Sequence, residues 1–109
     1  ETKHCISTEQ FNMMKPNALL VNTSRGPVID EKALIEALKT RRIGGAALDV
    51  TDPEPPEADS ELLKLTDNLI LTPHVAAFSA DFEKNFWGFS VEKLKALSSG
   101  DYMKYNVLR

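Results

Sequence analysis

Three apolar runs along the chain are too short for helices and too continuous for strands with one wet face. They are "ALLVNT" (18–23), "IGGAALDV" (43–50) and "NLILT" (68–72). Continuous apolar stretches of about four to eight residues mark strands covered on both faces. Between the first two the period changes: in "VIDEKALIEALKTRR", Ala33, Leu34, Ala37 and Leu38 recur at helical spacing, Asp30 stands where a cap belongs, and basic residues crowd the carboxyl end, where the helix dipole favours them. Upstream, Ser7 and Gln10 have capping-box spacing, and Phe11, Met13 and Met14 form an apolar face. Pro16 disfavours helical geometry at Lys15, so this helix spans 7–14. The acidic, proline-rich stretch "TDPEPPEADSE" is a loop, followed by a helical turn over 60–65. A long helix covers 79–98, with Phe82, Phe86, Phe89 and Lys93 on one stripe and Trp87, Val91, Leu94 and Leu97 beside it. Gly100 ends it, and "DYMKYNVLR" is a tail.

Strand, helix, strand, helical turn, strand is α/β alternation. Right-handed crossovers then place three parallel strands side by side with helices on both faces. The small residues Gly44, Gly45, Ala46 and Ala47 predict close approach of a helix or ligand to the middle strand.

Composition narrows the class. With 109 residues, 42 % hydrophobic and 27 % charged, the chain fits one small globular domain. A net charge of −3 with scattered Lys and Arg argues against a nucleic-acid partner. No apolar run approaches the roughly 20 residues of a membrane span, and no signal sequence is present, so the expected location is the cytoplasm. The single Cys5 excludes an internal disulfide and reads as a small core residue rather than a nucleophile. "ETKHCIS" opens without an initiator methionine or a preceding strand, which reads as a piece of a longer protein.

Each strand delivers a chemically able residue at its carboxyl end: Arg25 after the first, Asp49 and then Glu54 after the second, His74 after the third. In a parallel sheet these ends share one edge, where open α/β sheets bind ligands. Taken singly, Arg25 is a solvated or capping charge, Asp49 a group for loop amides, Glu54 a surface charge and His74 a structural histidine. Their joint placement favours a site. An arginine fork pairs bidentately with a carboxylate. A histidine exchanges a proton with an alcohol or carbonyl, and a neighbouring glutamate favours its imidazolium. Together they suit interconversion of a 2-hydroxy acid and a 2-oxo acid. No metal-ligand spacing and no G-x-S-x-G elbow is present.

"MMKPNALLVNTSRGPVIDEKALIEAL", "IGGAALDV…EP" and "NLILTPHVAAFS" resemble, in order and separation, the signatures of the D-isomer-specific 2-hydroxyacid dehydrogenases. The resemblance covers about residues 1–100. It implies a partial Rossmann-like parallel sheet: residues 1–109 would be the carboxyl-terminal half of an NAD(P)-binding domain, with 79–98 the crossover helix toward a substrate domain outside this chain. By position, Arg25 resembles the residue that binds the substrate carboxylate, His74 the acid/base and Glu54 its partner. Asp49 resembles the aspartate near the nicotinamide carboxamide. Thr23, Arg25, Asp49, His74 and Ala76 match cofactor-lining positions. The implied cofactor is NAD or NADP, the substrate a small 2-hydroxy or 2-oxo acid, and the parent a homodimer. The G-x-G-x-x-G turn and the ribose-binding acid are not in this sequence, so the choice between NAD and NADP stays open and little activity is expected of the chain alone. Thr51 stands where the family usually has an aromatic, and Ala76-Ala77 where a glycine is common, which bears on pocket shape. A non-catalytic, NAD-regulated scaffold is the alternative; the joint presence of Arg25, Glu54 and His74 argues for catalysis.

Overall fold

The computed structural model describes residues 2–101, which fall into two compact units that divide between Ala76 and Ala77. The first unit runs α1 (Thr8–Met13), β1 (Leu19–Asn22), a 3-10 turn (Gly26–Val28), α2 (Glu31–Lys39), β2 (Gly45–Leu48), a second 3-10 turn (Glu61–Lys64) and β3 (Leu69–Leu71). The strands are parallel, as the alternation predicts, and lie in the order β1-β2-β3. The register pairs Leu20 with Ala46 and Ala46 with Leu69, then Asn22 with Leu48 and Leu48 with Leu71.

Strand residues two apart share a face, so those two rows point the same way. Phe11 of α1, Leu34, Ala37 and Leu38 of α2, and Leu62 of the second 3-10 turn join Ala46, Leu48 and Leu69 in one buried cluster. Phe11, Leu34, Leu38, Ile43 and Leu62 are almost fully enclosed, each stabilising the fold by about 1.5–3 kcal/mol. Asp30 caps α2 as its position suggests, its Oδ1 accepting from the Ala33 amide at 3.2 Å. Gln10 Oε1 accepts from the Ser7 amide at 3.0 Å at the start of α1.

The second face of the sheet departs from the sequence expectation. Leu19, Val21 and Ile70 are 76, 67 and 65 % exposed, although a continuous apolar run predicts cover on both sides. Both helices of this unit and the second 3-10 turn contribute to the core on the Leu20–Ala46–Leu69 side, which leaves the alternate residues uncovered. Gly44 and Gly45, at the entry to β2, also approach something other than a helix or ligand. A Cβ on Gly45 would lie 2.9 Å from the Asn68 carbonyl oxygen and one on Gly44 3.1 Å from the Asn17 carbonyl carbon, so the close neighbours are backbone leading into β3 and β1.

Cys5 is a further correction: it is exposed, not core. The preceding segment pairs with the first 3-10 turn through His4 N to Pro27 O (2.8 Å) and Ile6 N to Val28 O (3.2 Å). Extended alternation then turns Ile6 toward the core and Cys5 outward.

The second unit contains α3 (Ala80–Ser98), capped by Ser79, whose hydroxyl oxygen accepts from the Phe82 amide at 2.9 Å. It ends at Gly100, whose φ of 76° lies in the left-handed region that glycine adopts without strain. Most of the expected tail, residues 102–109, lies outside the described residues. Phe82 stacks on Phe86 with centroids 5.6 Å apart, Phe86 meets Trp87 edge-on at 5.4 Å, and Lys93 Nζ sits 4.4 Å from the Phe89 centroid. All four aromatics are exposed. No helix among the described residues is long and apolar enough to cross a membrane.

Both units therefore carry apolar surface in water, and β1 adds an open edge. The 109-residue chain is expected to self-associate at tens of micromolar, on the order of the concentrations where such surfaces pair. Multi-angle light scattering checks this, and a monodisperse monomer would count against it.

Candidate active site at the carboxyl edge of the sheet

Asn22, the last residue of β1, is buried and satisfied by its own turn. Its Oδ1 accepts from the Ser24 amide at 3.0 Å and the Ser24 hydroxyl at 2.7 Å, while its Nδ2 donates to the Arg25 carbonyl at 2.9 Å. This Asx turn lifts Thr23, Ser24 and Arg25 out of the sheet. Arg25 is exposed, and its Nη1 donates to the Ser24 carbonyl at 2.7 Å. Gly26 follows because nothing larger fits: an added Cβ would lie 2.0 Å from the Thr51 carbonyl oxygen. The turn that bears Arg25 thus lies against the loop that bears Glu54.

Asp49 follows β2 and is 5 % exposed. A buried carboxylate is tolerable only when donors surround it. Its Oδ1 accepts from the Thr72 hydroxyl at 2.5 Å and the Val75 amide at 2.8 Å, and its Oδ2 from the Ala76 amide at 2.9 Å. The Thr72 hydroxyl is the largest influence holding its carboxyl below the ordinary value; the Ala76 and Val75 amides and nearby His74 act in the same direction, against desolvation.

His74 follows β3 with a φ of 55°, the left-handed region, which costs a residue with a side chain on the order of 1–3 kcal/mol. Its amide donates to the carbonyls of Asp49 (2.9 Å) and Thr72 (3.0 Å). In this conformation Nδ1 of the ring meets Glu54 Oε1 at 2.6 Å, with both side chains about half exposed. Asp49, Thr51, Glu54, Leu63, Thr72 and His74 contribute to the lining of a cleft of about 490 Å³.

The chain therefore joins Asp49, Glu54 and His74 in one cleft. Arg25, Thr23 and Ala76 share the edge but do not line that cleft. Ala76 enters through its amide rather than its side chain. Thr51 presents a small side chain to the cleft, with its hydroxyl turned to the Pro53 carbonyl at 2.8 Å. Asn22 and Thr72 are absent from the set of residues singled out from sequence. The "NTS" turn pattern is a signal for the first, whereas Thr72 carries none beyond its place at the end of an apolar run.

Known proteins resemble this chain closely. The profile of the D-isomer specific 2-hydroxyacid dehydrogenase NAD binding domain matches residues 1–76. A glyoxylate reductase of Korarchaeum cryptofilum is 46 % identical over 101 residues, which cover 93 % of this chain and 30 % of that protein. D-lactate dehydrogenase of Lactobacillus jensenii, solved with NAD+, superposes with a TM-score of 0.70 at 34 % identity, covering 91 % of this chain and 33 % of that one. A D-isomer specific 2-hydroxyacid dehydrogenase of Xanthobacter autotrophicus Py2, solved with NADPH and MES, gives 0.72 at 33 % identity, covering 91 % and 40 %. The chain spans about a fifth to a third of the length of the curated relatives it matches.

The lowered carboxyl of Asp49 ties stability to pH. A group whose folded value is depressed contributes stability that is complete above its unfolded value, near pH 3.9, and is lost as pH falls through the folded value. The stability gap between wild type and Asp49→Asn should therefore shrink as pH falls from about 5 to about 2. Urea midpoints across that range measure it, and a constant gap would detach Asp49 from the acid response.

Proposed function

The chain belongs to the D-isomer specific 2-hydroxyacid dehydrogenases as a NAD-binding domain with a Rossmann-like parallel sheet, and on that premise we propose that its carboxyl edge serves interconversion of a small D-2-hydroxy acid and its 2-oxo acid. The observation that carries this reading is the 2.6 Å pairing of His74 Nδ1 with Glu54 Oε1. Residues 1–109 are read as the carboxyl-terminal half of the cofactor domain of a longer, homodimeric enzyme, with α3 leading toward a substrate domain.

The residues fit the nicotinamide end of a dinucleotide. Asp49 Oδ2 accepts from the Ala76 amide and keeps acceptor capacity for a carboxamide N–H, with Thr23, Arg25 and Ala76 at the same edge. The described residues include no G-x-G-x-x-G turn to cradle phosphates. The cofactor, NAD or NADP, supplies or accepts the hydride exchanged with C2 of the substrate.

Glu54 occupies Nδ1 of His74, so Nε2 is the ring nitrogen that faces the reaction. In the reduction, protonated His74 gives its Nε2 proton to the substrate's C2 oxygen as that oxygen gains charge. In the oxidation, neutral His74 takes the hydroxyl proton from the same oxygen. Glu54 holds Nδ1 and so keeps Nε2 turned toward that oxygen in both directions. Arg25 holds the substrate carboxylate, for which its planar fork must swing from the Ser24 carbonyl.

Two substitutions in the longer enzyme test these assignments. Arg25→Lys replaces a fork by a point charge and should lower kcat/KM for a 2-oxo acid by about 2–3 kcal/mol, roughly 30- to 150-fold. An unchanged value would remove Arg25 from the site. Glu54→Gln replaces the carboxylate that holds Nδ1 with a neutral amide, so kcat for reduction of a 2-oxo acid should fall by roughly tenfold or more. An unchanged kcat would show that Glu54 and His74 act independently.

A further inference from the structure

Arg25, Glu54 and His74 reach the edge from three separate strands, yet one hydrogen-bonded chain runs across all three strand ends. The Asn22 side chain donates to the Arg25 carbonyl, the Asp49 amide donates to the Asn22 carbonyl at 2.9 Å, and the Asp49 carboxylate receives Thr72, Val75 and Ala76. Thr72, like Asn22, lends this network a side chain that has no part in the chemistry proposed above.

From this arrangement we infer that Thr72 is a positioning residue: its hydroxyl fixes the Asp49 carboxylate, which in turn holds residues 74–76 in the conformation that sets His74 against Glu54. Of the three donors on Asp49, Val75 N and Ala76 N belong to the turn being held, and only Thr72 Oγ1 comes from the residue that directly continues β3. The Thr72 amide itself donates to the Leu48 carbonyl at 3.0 Å, so this donor is anchored to the sheet. A carboxylate held only by the turn would move with it. Held by Thr72 as well, it ties the turn to the sheet.

The strained residue lies inside the clamp. His74, with a φ of 55°, sits between Thr72 and the two amides that Asp49 receives. Its own amide is bound by the Asp49 carbonyl. An over-determined surrounding is what a left-handed non-glycine residue requires, and Asp49 supplies it through main chain and side chain together. The catalytic meaning of this clamp rests on the reading of His74 as acid/base; the clamp itself does not.

The test uses the 109-residue chain and the variants Thr72→Val, which keeps the shape and deletes the hydroxyl, and Thr72→Ser, which keeps the hydroxyl. Amide hydrogen exchange is followed at Val75 and Ala76, together with the NMR signal of the His74 Nδ1 proton held by Glu54. Thr72→Val should speed exchange at both amides by roughly tenfold or more, the loss of one charge-assisted bond, and weaken the Nδ1 signal. Thr72→Ser should restore both. Unchanged exchange in Thr72→Val overturns the proposal, and so does a Ser variant as impaired as the Val variant, which would assign the effect to the methyl group. If Thr72→Val fails to fold, Asp49→Asn carries the test: faster exchange at Ala76 supports the clamp and unchanged exchange overturns it. Neither readout needs turnover, so a longer enzyme that reduces no 2-oxo acid would sink the acid/base reading and leave the clamp standing.

Discussion

A carboxylate cannot be buried at the end of a strand without donors to receive it, and at Asp49 that requirement organises the edge of the sheet. The donors come from the residues that follow β3, so satisfying one acid also determines where the backbone of His74 goes. The Asp49 amide donates to the carbonyl of Asn22, whose side chain shapes the turn of Arg25. Functional groups far apart in sequence are thereby placed by a single electrostatic need, with the parallel sheet supplying the common edge.

Much of the architecture could be read from the chain because local signals agreed with the tertiary solution. Asp30 is a cap in both sequence and structure, Gly100 a stop in both, and the three apolar runs are the three parallel strands. The pairing of Glu54 with His74 was legible through resemblance to a family, and not through spacing, since the two residues lie 20 positions apart on different loops.

Other features were hidden for definable reasons. Continuous hydrophobicity says that a strand prefers cover on both faces, but it does not say which segment provides the cover, and Leu19, Val21 and Ile70 remain open. Cys5 looked like core because of its residue type, whereas its side is set by extended pairing with the turn at Pro27–Val28, a contact with no sequence period of its own. Thr72 carries no signal in the sequence because a threonine at the end of an apolar run is ordinary. Its significance appears only when Asp49 is found within 2.5 Å of it.

The junction of Gly26 with Thr51 has a mechanical consequence. The Thr51 carbonyl occupies the space where any other residue at 26 would carry its Cβ, so the two backbones touch with no side chain between them to absorb displacement. Such a contact has no slack under compression: a push on the Thr51 backbone reaches the Arg25 turn almost undiminished. Length changes in the acidic loop would therefore act very differently on either side of the junction. Residues added beyond Pro56 could bulge into solvent, while one added between Val50 and Thr51 would drive the two backbones together and tilt the guanidinium's pedestal.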